Sequence, residues 1–182
     1  MLINRCMLKL DQQAFLDTLV KNTDMFIQEY LENLGKRTIP IPDYDENSTP
    51  LKDWRGIYLW WNHKPWLIYQ KWFPKSTNLL QRGPTHRGTG ISILKPHSAT
   101  PNHAHTDNSW SNKIIVHLPL IIPDGDVGFW VDGKIHRWKV GELFAFDITK
   151  PHYGFNNTDQ DRVILILDFN AEDWRDTLKQ YM

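Results

Sequence analysis

Short apolar segments separated by turns occupy residues 90–169, and this pattern restricts the chain to a β-sandwich or a β-barrel. Most of the segments alternate apolar and polar residues, as half-buried strands do. Asp132-Gly133 stands between two alternating segments and indicates a two-residue type I′ hairpin. We therefore predict eight strands, near residues 90–95, 103–107, 112–121, 126–132, 134–140, 143–148, 152–156 and 162–169.

Helical patterns flank this β region on both sides. Apolar residues recur at helical spacing over residues 11–34, and Asp11 is a suitable N-cap. The run FPKSTNLLQR, at 73–82, predicts a short helix after a proline turn. A last helix is expected at 171–181, with Asn170 as its cap.

Composition excludes several classes of protein. The chain carries 21 basic and 21 acidic residues, so its zero net charge favours neither nucleic acid nor an anionic membrane as a partner. The single cysteine, Cys6, cannot form an intrachain disulfide and favours a reducing compartment. The sequence has no signal-peptide pattern and no apolar run that predicts a membrane span, so a cytoplasmic location is expected. The length suits one domain, 1–182, with a helical and loop extension (1–53), a β core (54–169) and a C-terminal helix (170–182).

A His-x-Asp pair and a distant histidine indicate a metal site. His105 and Asp107 are two residues apart on a predicted strand, where side chains at i and i+2 share one face. With His152 they make a two-histidine, one-carboxylate set, which binds Fe(II) on one face and leaves the opposite positions open for a co-substrate and O2. A metal set on short strands favours a mainly β, cupin-like jelly roll, the double-stranded β-helix. The N-terminal helix and the short C-terminal helix would then pack outside it.

Two alternatives stay open for this metal site. His103 lies on the same strand face as His105, so the run HAH offers another ligand pair. A His-x-Asp pair also arises by chance, and Asp107 could instead cap a turn at Asn108-Ser109.

Arg162 is the second informative residue. It follows His152 by ten residues and begins the next predicted strand. An oxygenase that uses 2-oxoglutarate needs a cation for the distal carboxylate, and the planar arginine fork suits that role. The alternative is a surface ion pair with the flanking Asp159 or Asp161, which would contribute little.

Several of these motifs occur together in a known family. Over residues 54–169 the chain resembles the aspartyl/asparaginyl β-hydroxylases, Fe(II)- and 2-oxoglutarate-dependent oxygenases. The most specific block is Trp138-x-x-Gly141, then Phe146-Asp147, then His152 and Arg162; the matching runs are FPKSTNLL, SILKP, HTD, HLPLIIP, WKVGELFAFDITKPH and NNTDQDRVILILDF.

The resemblance implies roles for individual residues. It makes His105 and His152 metal ligands and places the distal carboxylate of 2-oxoglutarate on Arg162, with help from Ser92 of SILKP. It sets His117, in HLPL, near the other end of the co-substrate.

Two departures from the family pattern concern this site. The animal peptide hydroxylases have glycine at the position of Asp107, whereas the HRD-like motif of the bacterial lipid A hydroxylases is closer to this HTD, so we predict Asp107 as the third ligand. The family usually has arginine where this chain has Ile115, and Lys113, one step back on the same face, is expected to replace it.

The predicted function is that of an Fe(II)- and 2-oxoglutarate-dependent dioxygenase. It would use O2 to hydroxylate an unactivated C–H bond of a peptide, an amino-acid derivative or another small substrate, releasing succinate and CO2. Asn108, Trp110 and Trp130 are expected to border the substrate pocket. The alternative is a cupin-like, metal-dependent binding or sensor protein without oxidative activity.

Overall fold

The helices of this chain lie near its two ends and between its first strands. The structure is a computed structural model that describes residues 11–36, 38–40, 53–83, 88–106 and 112–182, with backbone alone for 39 and 40. The helices of these residues are Gln12–Lys21 (α1), Thr23–Glu32 (α2), Leu67–Trp72 (α3), Pro74–Leu80 (α4) and Ala171–Leu178 (α5), with a 3-10 turn at Lys179–Tyr181. None of them combines the length and the apolar character needed to cross a bilayer.

The strands of the described residues form two antiparallel sheets. They are Ile39–Pro40 (β1), Trp54–Trp61 (β2), Lys64–Pro65 (β3), Gly88–Leu94 (β4), Ser98–Ala99 (β5), Lys113–Ile121 (β6), Val127–Val131 (β7), Lys134–His136 (β8), Phe144–Asp147 (β9), His152–Asn156 (β10) and Arg162–Asn170 (β11). The larger sheet has the order β1-β2-β4-β11-β6-β9, with β3 beside β2, and the smaller sheet has the order β5-β10-β7-β8. Strands β4 to β11 thus cross between two facing sheets as in a jelly roll, which confirms the predicted fold class.

Local sequence explains why several elements begin or end where they do. Asp132 and Gly133 have φ values of 47° and 86°, both positive as a type I′ turn requires, between β7 and β8. The side chain of Asp11 caps α1 through the Ala14 amide, and that of Asn170 caps α5 through the Glu172 amide. These local predictions are confirmed.

The predicted helix over residues 11–34 is divided in two. The side chain of Asn22 donates to the Thr18 carbonyl, and the Thr23 hydroxyl donates to the Val20 carbonyl. Such short polar side chains compete with the helical backbone for its carbonyls, so one helix ends and another begins at this pair.

Two predicted strands are shorter than expected. Residues 103–106 contribute one isolated bridge, between His103 and His152, and 107 lies outside the described residues. The preceding Pro101 has no N–H to extend this pairing. The strand predicted at 134–140 ends at His136, because the chain turns at Gly141, whose φ is +78° and whose amide donates to the Pro119 carbonyl.

The two faces of the larger sheet cover two separate cores. The outer face packs on the helices, with Phe15 and Phe26 among the residues that meet Leu165 and Leu167. The inner face meets the smaller sheet around Phe129, which packs with aromatic and aliphatic side chains. The candidate site lies in this inner core.

Candidate functional site

A cavity opens between the two sheets of the jelly roll. It holds roughly 840 Å³ of space including its opening. Aromatic side chains make much of its wall, and His103, His105, His117, His152 and Arg162 all line it. The arrangement is that of a ligand pocket, apolar with a few convergent polar groups.

Three imidazoles meet in this cavity. One candidate ligand atom from each of His103, His105 and His152 lies within 4.8 Å of the other two. The rings of His103 and His152 have centroids 4.3 Å apart, and those of His103 and His105 are 5.0 Å apart. His105 and His152 are 6% and 5% exposed, so this is a largely buried cluster that could hold one metal ion.

Backbone pairing positions each imidazole. His103 and His152 exchange both of their backbone hydrogen bonds, 3.1 and 2.9 Å long, so their side chains lie directly opposite each other. The amide of His105 donates to the Ile148 carbonyl at 3.0 Å, which brings its ring beside the same pair. His103 and His105 therefore present their side chains to the same side, as residues i and i+2 of a strand do, although no regular strand forms here.

The environment keeps His152 in its neutral form. Burial is the main cause that lowers its pKa to about 3, and the neighbouring His103 and His105 lower it further. The Lys150 carbonyl, which accepts from Nδ1 at 2.7 Å, opposes this shift. An imidazole that is neutral near pH 7 is ready to bind a metal without first losing a proton.

Arg162 is a buried cation on the same inner face. Its residue is 2% exposed, and burial lowers its pKa to about 9. Among the described residues no carboxylate forms an ion pair with it, and its Nε atom has no hydrogen-bond partner. Its guanidinium lies over the Trp138 ring, 5.1 Å from the centroid. The surface ion pair with Asp159 or Asp161 does not form.

Ser92 stands beside this guanidinium. Its hydroxyl oxygen accepts from Nη1 of Arg162 at 3.2 Å and from Nε1 of Trp54 at 3.0 Å. Because both contacts use its lone pairs, the Ser92 proton is available to donate to an acceptor in the cavity. Arg162 and Ser92 together therefore present several donors to an anion.

The spacing between the imidazoles and this donor group follows from strand β10. His152 begins β10, and Gly154 comes two residues later with its missing Cβ 3.7 Å from Nη2 of Arg162. Two residues of strand advance roughly 7 Å. The guanidinium therefore lies beside the next inward-facing position of β10 after His152.

His117 occupies the inner core near both groups. Burial and the Arg162 charge lower its pKa well below 6.5. Its ring is surrounded by aromatic rings, among them Phe129 at 5.0 Å and Phe146 at 5.2 Å, and its Nδ1 atom has no partner. A neutral imidazole with an unpaired nitrogen can accept or donate one hydrogen bond to a ligand in the cavity.

The structure does not bring every predicted residue to the cavity. Lys113 begins β6 on the same face as His117 but is not part of the cavity wall, where Ile115 stands instead. Trp130 stacks on Tyr153 with centroids 5.5 Å apart, and it alternates with Phe129, which faces inward, so it lies on the outer side of the smaller sheet. The predictions for Asp107, Asn108 and Trp110 lie outside the described residues.

Sequence reasoning missed several residues of the cavity wall. Trp54 bonds Ser92 and lies 6.1 Å from the His103 ring, while Trp138 stacks on Arg162. Neither had been assigned to the pocket. The period-2 alternation of Trp54 with Gly56 and Tyr58 was the signal for the first, because it places Trp54 and Tyr58 on one strand face.

Comparison with known proteins points to hydroxylases. The aspartyl/asparaginyl beta-hydroxylase family matches residues 21–172. An ornithine lipid ester-linked acyl 2-hydroxylase from Rhizobium tropici is 26% identical over 151 residues, which are 79% of this chain and 53% of the relative. The chain thus spans about half the length of that relative.

Two solved structures with some likeness to this chain come from bacteria. One, from Photorhabdus luminescens, has a TM-score of 0.45 and 17% identity and covers 77% of this chain and 95% of its own. A cupin 2 conserved barrel domain protein from Salinispora arenicola has a TM-score of 0.41 and 14% identity, with 79% and 99% covered.

The family match covers most of the chain, including every histidine and arginine described above. This protein belongs to the aspartyl/asparaginyl beta-hydroxylase family. Membership of a hydroxylase family supports an enzymatic function for the cavity.

Proposed function

We propose that this protein is an Fe(II)- and 2-oxoglutarate-dependent dioxygenase that hydroxylates a C–H bond. The observation that carries the proposal is Arg162, a buried cation without a carboxylate partner among the described residues, in the same cavity as three imidazoles. A buried charge without a counter-ion is costly, so a bound anion is the natural complement of this site.

The residues fit both groups that the proposal requires. His105 and His152 would hold the iron, with Asp107 as the predicted third ligand. When bound, iron and 2-oxoglutarate would supply the oxidation by O2 of a C–H bond to an alcohol, with release of succinate and CO2. Arg162 and Ser92 would bind the distal carboxylate by a charged fork and a hydroxyl proton.

The residues of the inner core would orient the co-substrate and exclude water from its binding site. His117 would contact the end of the co-substrate opposite the distal carboxylate. Its ring is neutral because its pKa is low, so it does not place a second positive charge near Arg162. Trp138 covers one face of the guanidinium and excludes water from it. Together with Ser92, Arg162 would hold the distal carboxylate, so these residues would orient the co-substrate in the cavity.

The substrate class stays broad in this proposal. A peptide, an amino-acid derivative or another small molecule would enter beside the aromatic wall that includes Trp54, Tyr58 and Trp61. The Rhizobium relative acts on an acyl chain of a lipid, which adds a lipid-like chain as a candidate that the same wall could accept. The cytoplasmic location stays a prediction.

Succinate formation tests the proposal. Anaerobically purified protein would receive Fe(II) and 2-oxoglutarate and then air, without added substrate, because such oxygenases often turn over slowly when uncoupled. We expect succinate above the level of the His105→Ala and Arg162→Met variants. Arg175→Gln, a surface arginine whose side chain is 55% exposed, is the matched control and should form succinate as the parent does.

A second function is favoured by one specific observation. The cluster of three histidines also suits a cupin-like protein that binds a metal and a ligand without oxidation. That function predicts metal binding with no succinate in any variant, and no effect of Arg162→Met on ligand-independent metal binding. Succinate that depends on both His105 and Arg162 would exclude it.

A further inference from the structure

We propose that His103 is a metal ligand, so that three imidazoles hold the ion and Asp107 is not needed to complete the protein's share of the coordination. This inference rests on the proposed function, since it concerns the same metal. It departs from the ligand set His105, Asp107 and His152 that the sequence predicts.

The first support is the pairing of His103 with His152. The two residues exchange both backbone hydrogen bonds, so they stand directly opposite each other on antiparallel segments. Their side chains must therefore leave the backbone side by side on one face. If His152 reaches the ion, His103 is held in register to reach it too.

The second support is a matching hydrogen bond on each ring. Nδ1 of His103 bonds the carbonyl of Pro101 at 2.8 Å, and Nδ1 of His152 bonds the carbonyl of Lys150 at 2.7 Å. Because a carbonyl only accepts, each Nδ1 must carry the proton, and each Nε2 then carries the lone pair. Ligand histidines characteristically donate their other ring nitrogen in this way, which fixes the tautomer and the ring direction.

The chemistry of the donor set follows from this choice. Three imidazole ligands bring no negative charge to a divalent ion, whereas a carboxylate would offset part of the ion's charge. The anionic co-substrate would then supply the charge that the protein does not. Imidazole ligands also favour Fe(II), Co(II) and Zn(II) over Mn(II) and Mg(II), which prefer oxygen donors.

Titration with Co(II) tests the assignment without turnover. The variants are His103→Asn and His103→Gln, whose amides can still donate to the Pro101 carbonyl, together with Asp107→Asn and His152→Asn. His97→Asn is the matched control, because His97 is an exposed histidine bonded to Asp159. Affinity is read from the visible absorption of Co(II), and coordinated histidines are counted by their shifted ring N–H proton resonances.

We expect three shifted resonances in the parent and in the His97→Asn and Asp107→Asn variants, matching the three clustered histidines. Both His103 variants should lose one resonance. They should bind Co(II) at least roughly 10–100-fold more weakly, because that loss already follows when only a hydrogen-bond partner of a ligand is removed. Thermal unfolding of the metal-free variants checks that each is folded.

Unchanged Co(II) affinity and three resonances in either folded His103 variant would overturn the inference. If His152→Asn nevertheless loses metal, the proposed function stands, and Asp107 is again the predicted third ligand. If His152→Asn also binds Co(II) as the parent does, the metal centre itself is wrong and the proposed function fails with the inference.

Discussion

Alternate residues of β11 face two cores of opposite character. Val163 and Leu165 point to the helices and pack in a largely apolar layer. Arg162 and Ile164 point to the smaller sheet, where the wall holds histidines and the guanidinium. The strand is almost entirely buried on both faces, so exposure does not separate the two.

The positions of the unpaired polar groups separate the two cores. Within the described residues, the buried side-chain nitrogens without a partner are His117 Nδ1, Trp138 Nε1 and Arg162 Nε, and all three lie in the inner core. The helix side has two such groups, the hydroxyls of Thr77 and Thr89. The three unpaired nitrogens belong to residues that line the cavity, whereas neither threonine lines it. A folded chain rarely leaves buried donors unpaired, so donors around a cavity indicate that the inner face binds a ligand, while the outer face serves packing.

The largest expected effect belongs to the outer face. Leu165 is 0% exposed in the helix-side core. We expect Leu165→Ala to lower the free energy of unfolding by roughly 2–5 kcal/mol, because the cavity left behind cannot collapse fully. Urea denaturation measures this, and a loss below about 1 kcal/mol would contradict a tightly packed outer core. Co(II) binding by the folded fraction should be unchanged.

An intermediate effect is expected for His117 and depends on pH. Its folded-state pKa is lowered well below 6.5, so below about pH 6.5 the unfolded chain binds a proton that the folded chain does not. The stability of the metal-free protein should therefore fall as pH falls through that range. The slope from this one group is at most about 1.4 kcal/mol per pH unit.

The variant His117→Phe lacks the imidazole that takes up this proton in the unfolded chain. Its urea midpoint should decline less than the parent's between pH 7.5 and 5, a window set by the lowered His117 pKa. His152, whose pKa is also lowered by burial, is retained in both proteins and provides the remaining slope. Parallel pH profiles for the two proteins would mean that His117 is not a buried neutral group.

The smallest effect is expected for Trp130. Its contact with Tyr153 lies on the outer side of the smaller sheet. Trp130→Leu should cost roughly 0.5–1.5 kcal/mol from the lost ring stacking and should leave 2-oxoglutarate affinity as it is in the parent. Unfolding and ligand titration together measure this. A loss of co-substrate affinity would place Trp130 in the site after all.

Most strand positions and the turn at Asp132-Gly133 were predictable because their causes are local. Alternation located the strands, and Asp132-Gly133 specified its own turn. Arg162 was predictable as a buried cation because its chemistry and its position at the start of an apolar strand agree. These inferences needed only a few neighbouring residues.

The remaining features depend on pairing between distant segments. The pairing of His103 with His152 joins residues that no short pattern connects, so the choice between HAH and HTD stayed open. Trp130 is absent from the cavity wall, and alternation along β7 alone does not say which of the strand's faces meets the cavity. The break of the first helix at Asn22 depends on side-chain bonds that hydrophobic periodicity ignores.

Anaerobic titration of the Fe(II)-loaded protein with 2-oxoglutarate tests most directly whether the inner face is kept for a ligand. We predict saturable binding, seen as a new visible absorption band, in the parent and in Arg175→Gln. Arg162→Met should fold with a free energy of unfolding within about 1 kcal/mol of the parent, since it removes an unpaired buried charge, yet bind 2-oxoglutarate far more weakly. Equal affinity in Arg162→Met, or no binding by the parent, would contradict the account.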